Sequence, residues 1–188
     1  MKIVLASSNE HKVKEINAIV LGLGIEFVLP PKGFDPIEDG DTFEENSLIK
    51  ARAAWDLSRA WTLADDSGLC IDALNGAPGI HSARYAETPQ ARINRVLKEM
   101  SGIKNRSARF KCCMTLINPK GDVTFSHTGI CEGSIIEEQR GLNGFGYDPI
   151  FLLHGSNRTM AELSEEEKND VSHRGKALKA VLEYLKNV

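Results

Sequence analysis

The spacing of apolar residues changes period several times along the chain, and each change predicts an element. Ile3-Val4-Leu5-Ala6 is a continuous apolar run of the kind a strand buried on both faces shows, and it stops at Ser7-Ser8-Asn9, whose hydroxyls and amide suit a helix start. Val13, Ile16, Ile19 and Val20 then recur at helical spacing until Gly22 and Gly24 end the pattern. Glu26 to Leu29 reads as a second strand, halted by Pro30-Pro31. Thr42-Phe43-Glu44-Glu45 has the form of a capping box, so a helix begins at Thr42, with Leu48, Ala51 and Trp55 on its buried face. Trp61 to Ala64 is a third strand, and the strand-helix-strand rhythm puts the second and third strands in one sheet.

The second half is richer in strands. Cys70-Ile71 and Leu74 predict a further short strand or turn, followed by a loop at Asn75 to Gly79. Thr88-Pro89 starts a helix whose apolar stripe is Ile93, Val96, Leu97 and Met100. Ala108 to Ile117, a turn at Asn118 to Asp122, and the alternating Val123 to Thr128 predict a long hairpin, which Ile130 to Ile136 either continues or extends by a strand. A second capping box, Ser164-Glu165-Glu166-Glu167, opens a short acidic helix holding Lys168, and Ser172 caps a last helix with Leu178, Val181, Leu182 and Leu185 facing the core. The pattern is that of a mixed α/β chain with a β-rich second lobe.

At 188 residues, 41% hydrophobic and 26% charged, the chain can bury one good core, and residues 1–188 are expected to form a single domain of two lobes. A formal charge of -3 excludes a sequence-independent grip on nucleic acid, which needs a strongly basic face. No apolar stretch approaches membrane-spanning length, and the first six residues are too short for a signal-peptide core, so a soluble cytoplasmic protein is expected. Cys70, Cys112, Cys113 and Cys131 have neither C-x-x-C nor metal-finger spacing and read as reduced core residues.

Five stretches carry candidate chemistry. In Leu63-Ala64-Asp65-Asp66-Ser67-Gly68-Leu69 an apolar run ends in two carboxylates, a hydroxyl and a glycine, which reads as a strand tip delivering charge. A period of two sends Asp65 and Asp66 to opposite faces, one into a cleft and the other outward or onto the loop; the local alternative is an Asx-turn with solvated acids. Ser7 to Lys12 runs a strand into a helix N-terminus, an anion seat without the glycines of a Walker or dinucleotide loop, and ordinary capping is its alternative. Downstream, the acidic loop Asp35, Glu38, Asp39, Asp41 precedes Lys50, which shares a helix face with Asn46 and either aims into the acids or stays solvated. In Gly141 to Pro149, glycines flank Phe145 and Tyr147, rings that either stack on a base or join the core. His173 and Arg174 oppose the dipole at the start of the last helix, a poor place for stability and a good one for meeting a ligand. His81 is lone and reads as structural.

Together these stretches resemble the inosine triphosphate pyrophosphatase family, which hydrolyses non-standard purine nucleoside triphosphates to monophosphate and pyrophosphate. The resemblance runs in order through Ser7 to Lys12, Thr42 to Asn46 with Lys50, Ala64 to Leu69, Pro78-Gly79-Ile80, Gly144 to Pro149 and Ser172-His173-Arg174. It implies an elongated two-lobed mixed sheet with flanking helices, an active-site cleft between the lobes, and a homodimer. Ser7, Ser8, Asn9 and Lys12 would hold the triphosphate, with Glu10 and His11 of the same turn among the substrate-binding residues. Glu38 and Asp66 would be the magnesium carboxylates, Asp66 also the proton acceptor, and Glu45 a supporting acid. Lys50 and Lys168 would meet phosphates or hold the closed site, Ser67 the substrate, and Phe145, Gly146, Tyr147 and Asp148 would line the base and sugar pocket. His173 and Arg174 would reach the 6-oxo edge of the purine. The family often has Thr at the position of Ser7 and Gly at that of Ser8, so Ser8 adds bulk near the phosphates, and Arg84 is not assigned a role, since the family varies between basic residues there. On this reading the chain removes deaminated purine nucleotides such as ITP, dITP and XTP with Mg2+. A pyrophosphatase for a different altered nucleotide, such as a modified pyrimidine, and a nucleotide-binding regulator without catalysis remain as alternatives.

Overall fold

The computed structural model describes residues 1–8 and 10–188, the side chains at positions 11, 14, 15 and 18 apart. Its elements are β1 (Lys2–Leu5), α1 (Glu10–Ile19), β2 (Glu26–Val28), α2 (Phe43–Ser58), β3 (Thr62–Ile71), α3 (Pro89–Glu99), β4 (Ser107–Ile117), β5 (Val123–Ile135), β6 (Phe151–Leu153), α4 (Glu165–Val171) and α5 (His173–Leu185). The fold is mixed α/β, with helices flanking a six-stranded open sheet of order β2-β1-β3-β4-β5-β6. β1 pairs in parallel with both β2 and β3, whereas β5 and β6 are antiparallel. The second and third strands therefore share the sheet as expected, but with β1 between them. Among the described residues no helix is long and apolar enough to cross a membrane.

Contacts divide the chain into two compact units: Met1–Asp66 with Cys113–Thr128 and Ala177–Val188, and Ser67–Cys112 with Gly129–Lys176. In the first, Val4, Ala6 and Ala64 pack with Ala51 and Ala54 of α2 and with Ile117, small side chains that let helix and sheet lie close. The buried face of α2 is Phe43, Asn46, Ser47, Ala51 and Ala54, while Leu48 is 37% exposed, contrary to the expected stripe. Ala51 is buried and Trp55 packs against the same cluster as expected, so the stripe fails only at Leu48, where the small polar Ser47 takes the buried place. The Ser47 hydroxyl reaches Thr115 Oγ1 at 2.9 Å and the Ala64 carbonyl at 3.3 Å, which satisfies a group that would otherwise be costly to bury. Thr42 caps the helix as predicted, and Glu45 Oε2 accepts from the backbone N–H of Asp41 at 2.7 Å and Thr42 at 3.1 Å. Glu45 is thus spent on the cap.

The second unit is built around Leu69, Ile71, Ile93, Val96, Met100, Phe110, Tyr147 and Phe151. Thr88 caps α3, its hydroxyl accepting from Ala91 N at 3.1 Å. Arg106 spreads its guanidinium over four carbonyls, those of Met100, Ile103, Ile135 and Ile136, and so joins the end of α3 to the end of β5. All four cysteines are free, and Cys112, Cys113 and Cys131 are buried.

The acidic stretch corrects the sequence reading. β3 does not end at Asp65 but continues through Asp66, Ser67 and Gly68 to Ile71, absorbing the separate strand expected at Cys70-Ile71. Local turn propensity yields here because β3 lies between β1 and β4 in the sheet, and pairing overrides it. Pairing with β1 stops sooner, at Leu5↔Leu63, where β1 ends. The acids therefore stand past the carboxyl end of β1, where ligands collect in open α/β sheets, on a neighbour that outruns it. β5 is one 13-residue strand, so the stretch from Ile130 continues the hairpin arm, one of the two alternatives expected.

Candidate active site

In the first unit two lysine–carboxylate sets stand beside β3. Even-numbered Ala64 packs toward α2, and the alternation of a strand carries Asp66 to the same side and Asp65 to the other. Asp66 Oδ1 lies 2.7 Å from Lys50 Nζ, and the same ammonium lies 2.8 Å from Glu38 Oε2, so both carboxylates converge on one cation. On the opposite face Asp65, 2% exposed, takes Lys12 Nζ with both oxygens at 2.9 and 3.2 Å. The two acids point to opposite faces as expected, but neither turns outward or onto the loop: each faces a lysine, Lys12 from α1 and Lys50 from α2. Ser7 and Ser8 occupy the turn between β1 and α1, and Glu10 opens the helix exposed to solvent. Asn9 and the side chain of His11 lie outside the described residues.

The charge balance of this set is uneven. Burial raises the pKa of Asp66, with the Glu38 and Asp65 charges adding to the rise and Lys50 opposing it without cancelling it. Burial works to lower the pKa of Lys50 but is outweighed by Asp66 and Asp65, so the lysine is raised and firmly charged. A carboxylate lifted in this way is a stronger base and a group that gains from a further cation.

In the second unit a different set surrounds Phe145. Asp148, 3% exposed, accepts from the Phe145 backbone N–H at 2.9 Å and from Lys168 Nζ at 2.5 Å. Gly144 (φ 76°) makes room for this: a Cβ there would fall 2.2 Å from Asp148 Oδ2 and 3.0 Å from Lys168 Nζ. The Phe145 ring is 59% exposed, with Lys168 Nζ 4.6 Å and the Arg174 guanidinium carbon 5.8 Å from its centre. Arg174 Nη2 also donates to Ser67 Oγ at 3.1 Å, which ties the start of α5 to β3 next to Asp66 in sequence. His173 is buried and stacked on Phe110, centroids 4.8 Å apart and planes 13° from parallel. Ser172 caps α5, accepting from Gly175 N at 3.1 Å, and a Cβ on Gly175 would fall 1.8 Å from the Asn169 carbonyl, so only glycine lets α5 start so close to α4.

Tyr147 departs from the expected pocket lining. It is 4% exposed, its hydroxyl donates to the Ser82 carbonyl at 2.8 Å, and burial pushes its pKa up to about 12. Of the two rings on the glycine-rich loop one joins the core and one remains available to a ligand, so both alternatives read from the sequence apply, to different residues. Ser82 itself was missed: its hydroxyl accepts from Leu69 N at 2.9 Å and donates to the Gly79 carbonyl at 2.6 Å. Nothing in a lone serine of a turn segment signals that role.

The family model described as Ham1 family matches residues 3–184. A dITP/XTP pyrophosphatase of Treponema denticola is 48% identical over 195 aligned positions, covering 99% of each chain. One from Nostoc is 43% identical, covering 96% of this chain and 92% of its own. Among solved structures, a HAM1 protein from Coxiella burnetii superposes with a TM-score of 0.92 at 43% identity over all of both chains, and the Ham1 protein of Staphylococcus aureus with 0.91 at 36%, over all of this chain and 99% of its own.

Proposed function

The chain belongs to the Ham1 family, and from that premise we propose that it hydrolyses non-standard purine nucleoside triphosphates, dITP, ITP and XTP, to the monophosphate and pyrophosphate. The observation that carries the reading is the convergence of Glu38 and Asp66 on Lys50, with Lys12 of α1 held by the neighbouring Asp65 on the other face of β3. Among the described residues no group of three or more His, Cys, Asp or Glu side chains would hold a metal ion unaided. Two carboxylates aimed at one cationic point nevertheless fit Mg2+, which keeps waters and completes its shell with substrate phosphates. Bound by Glu38 and Asp66, Mg2+ would neutralise the triphosphate and stabilise charge on the pyrophosphate leaving group.

The chain's own groups have distinct tasks in this reading. Ser7, Ser8, Asn9 and the first N–H groups of α1 receive the phosphates, and Lys12 and Lys50 balance their charge. Asp66, with its raised pKa, takes the proton from the attacking water. No covalent nucleophile is needed. Phe145 supplies a stacking face, Lys168 and Asp148 hold its loop, and His173 and Arg174 present donors to the oxygen at purine C6. Adenine has an amino group there, which would leave those donors unpaired, and sites built on hydrogen bonds reject such partners far more strongly than a size misfit does. A homodimer, implied by the resemblance, and a cytoplasmic location, expected from the sequence, belong to the same reading.

The direct test supplies dITP, ITP, XTP, the standard nucleotides and modified pyrimidine nucleotides with Mg2+ and assays pyrophosphate and orthophosphate separately. Pyrophosphate from the three non-standard purines, in clear excess over ATP and the pyrimidines, is expected. Orthophosphate as the first product, or binding without product, would overturn the reading.

A further inference from the structure

Glu38 lies in a segment, residues 34–40, without regular secondary structure, yet its carboxylate is held at 2.8 Å from Lys50. What fixes the segment is a side chain of α2, six residues after Gly40 and eight after Glu38. Asn46 is 1% exposed, its Oδ1 accepts from the backbone N–H of Gly40 at 2.9 Å, and its Nδ2 donates to the carbonyl of the same glycine at 3.3 Å. One amide thus captures both backbone polar groups of one residue. Position 40 has to be glycine for this, because a Cβ there would fall 2.7 Å from Glu45 Cβ and 2.9 Å from Asn46 Oδ1. Glu45 secures the next two backbone N–H groups, and Lys50 follows Asn46 by one helical turn on the same face.

We infer that Asn46, with Gly40, is the positioning residue for Glu38, and that it sets the affinity for the divalent cation; the inference rests on the function proposed above. The buried face of a helix gains most from an apolar side chain, and an amide placed there has to be fully hydrogen-bonded to avoid a cost. Asn46 meets that condition through the loop alone, so what its polarity secures is the place of the segment that carries Glu38. Fixing a loop residue costs backbone entropy, and without Asn46 that cost falls on the cation when it binds. Partners that orient a metal ligand typically change metal affinity by about 10–100-fold when removed.

The test compares the wild type with Asn46→Ala and Gly40→Ala. Pyrophosphate release from dITP by the wild type is established first; its absence refutes the proposed function and leaves the wild-type comparison of metal binding to judge this inference. Mn2+ affinity is then measured from the free-ion electron paramagnetic resonance signal with a non-hydrolysable dITP analogue bound, and the Mg2+ concentration for half-maximal velocity is measured at saturating dITP. Both are expected to rise about tenfold or more in Asn46→Ala, while kcat at saturating Mg2+ stays within roughly threefold of wild type. A variant with lowered Tm but unchanged Mn2+ affinity and Mg2+ requirement would reduce Asn46 to a purely structural residue and overturn the inference. If Asn46→Ala does not fold, Gly40→Ala decides by the same two readouts, from the loop side of the contact.

Discussion

Replacing Asp66 by Asn should lower kcat roughly a thousandfold, within the range by which a general base accelerates a reaction, while a dITP analogue still binds within a few-fold of wild type. The exchange keeps the shape of the side chain and removes the proton acceptor. It should do so without destabilising the metal- and nucleotide-free protein. The folded pKa of Asp66 is raised above its ordinary 3.8, chiefly by burial, so its contribution to stability is complete below pH 3.8 and is lost as the pH rises through the folded value. At neutral pH the ionised carboxylate is a cost that Asn does not carry, and Lys50 keeps Glu38 as partner. The Tm at pH 7 should therefore equal or exceed that of wild type. Full activity would remove Asp66 from the reaction, and a large fall in Tm would show that the carboxylate supports the fold.

Arg106→Met should be the most destabilising substitution outside the apolar core, and it touches no candidate active-site residue. The guanidinium serves four carbonyls at the ends of α3 and β5, and methionine fills the volume of its stem while leaving those oxygens to whatever water can reach. Hydrogen bonds to a charged group contribute about 1.5–3 kcal/mol each, and partial rehydration of a half-buried site leaves a net loss of about 3 kcal/mol. For a chain of this size that corresponds to a Tm lower by roughly 6–12 °C. Arg106→Lys should recover only part of the loss, since an ammonium cannot reproduce the planar fork. Thermal and urea unfolding at matched pH check this. A Tm within about 2 °C of wild type would mean that the carbonyls are satisfied without the arginine.

The helix starts were legible in the sequence because capping is local. Thr42, Thr88 and Ser164 each bond a backbone N–H three residues on, and the chemistry is complete within one turn. Leu63 to Leu69 was misread for the opposite reason. Asp, Ser and Gly speak for a turn only when nothing pairs with them, and the neighbours of β3 come from far along the chain. The buried place of Ser47 on α2 was hidden because it depends on a hydroxyl partner 68 residues away, and that of Tyr147 because it depends on a carbonyl 65 residues back. Arg106 gave no signal, since carbonyl partners have no residue type. Within the candidate site the acids and lysines were legible as types, and Lys50 aiming into the acidic loop was one of the alternatives; the pairings of Lys12 with Asp65 and of Lys50 with Asp66 were not, since they follow from the alternation of β3 between two helices.

If Asp66 takes a proton from water as that water attacks the phosphorus next to the nucleoside, the new oxygen must end on the monophosphate. Hydrolysis of dITP in water labelled with the heavy oxygen isotope, followed by mass spectrometry of both products, tests this directly. The label should appear in dIMP and not in pyrophosphate. Label in the pyrophosphate would place the attack on the next phosphorus and contradict the assignment of the reacting centre.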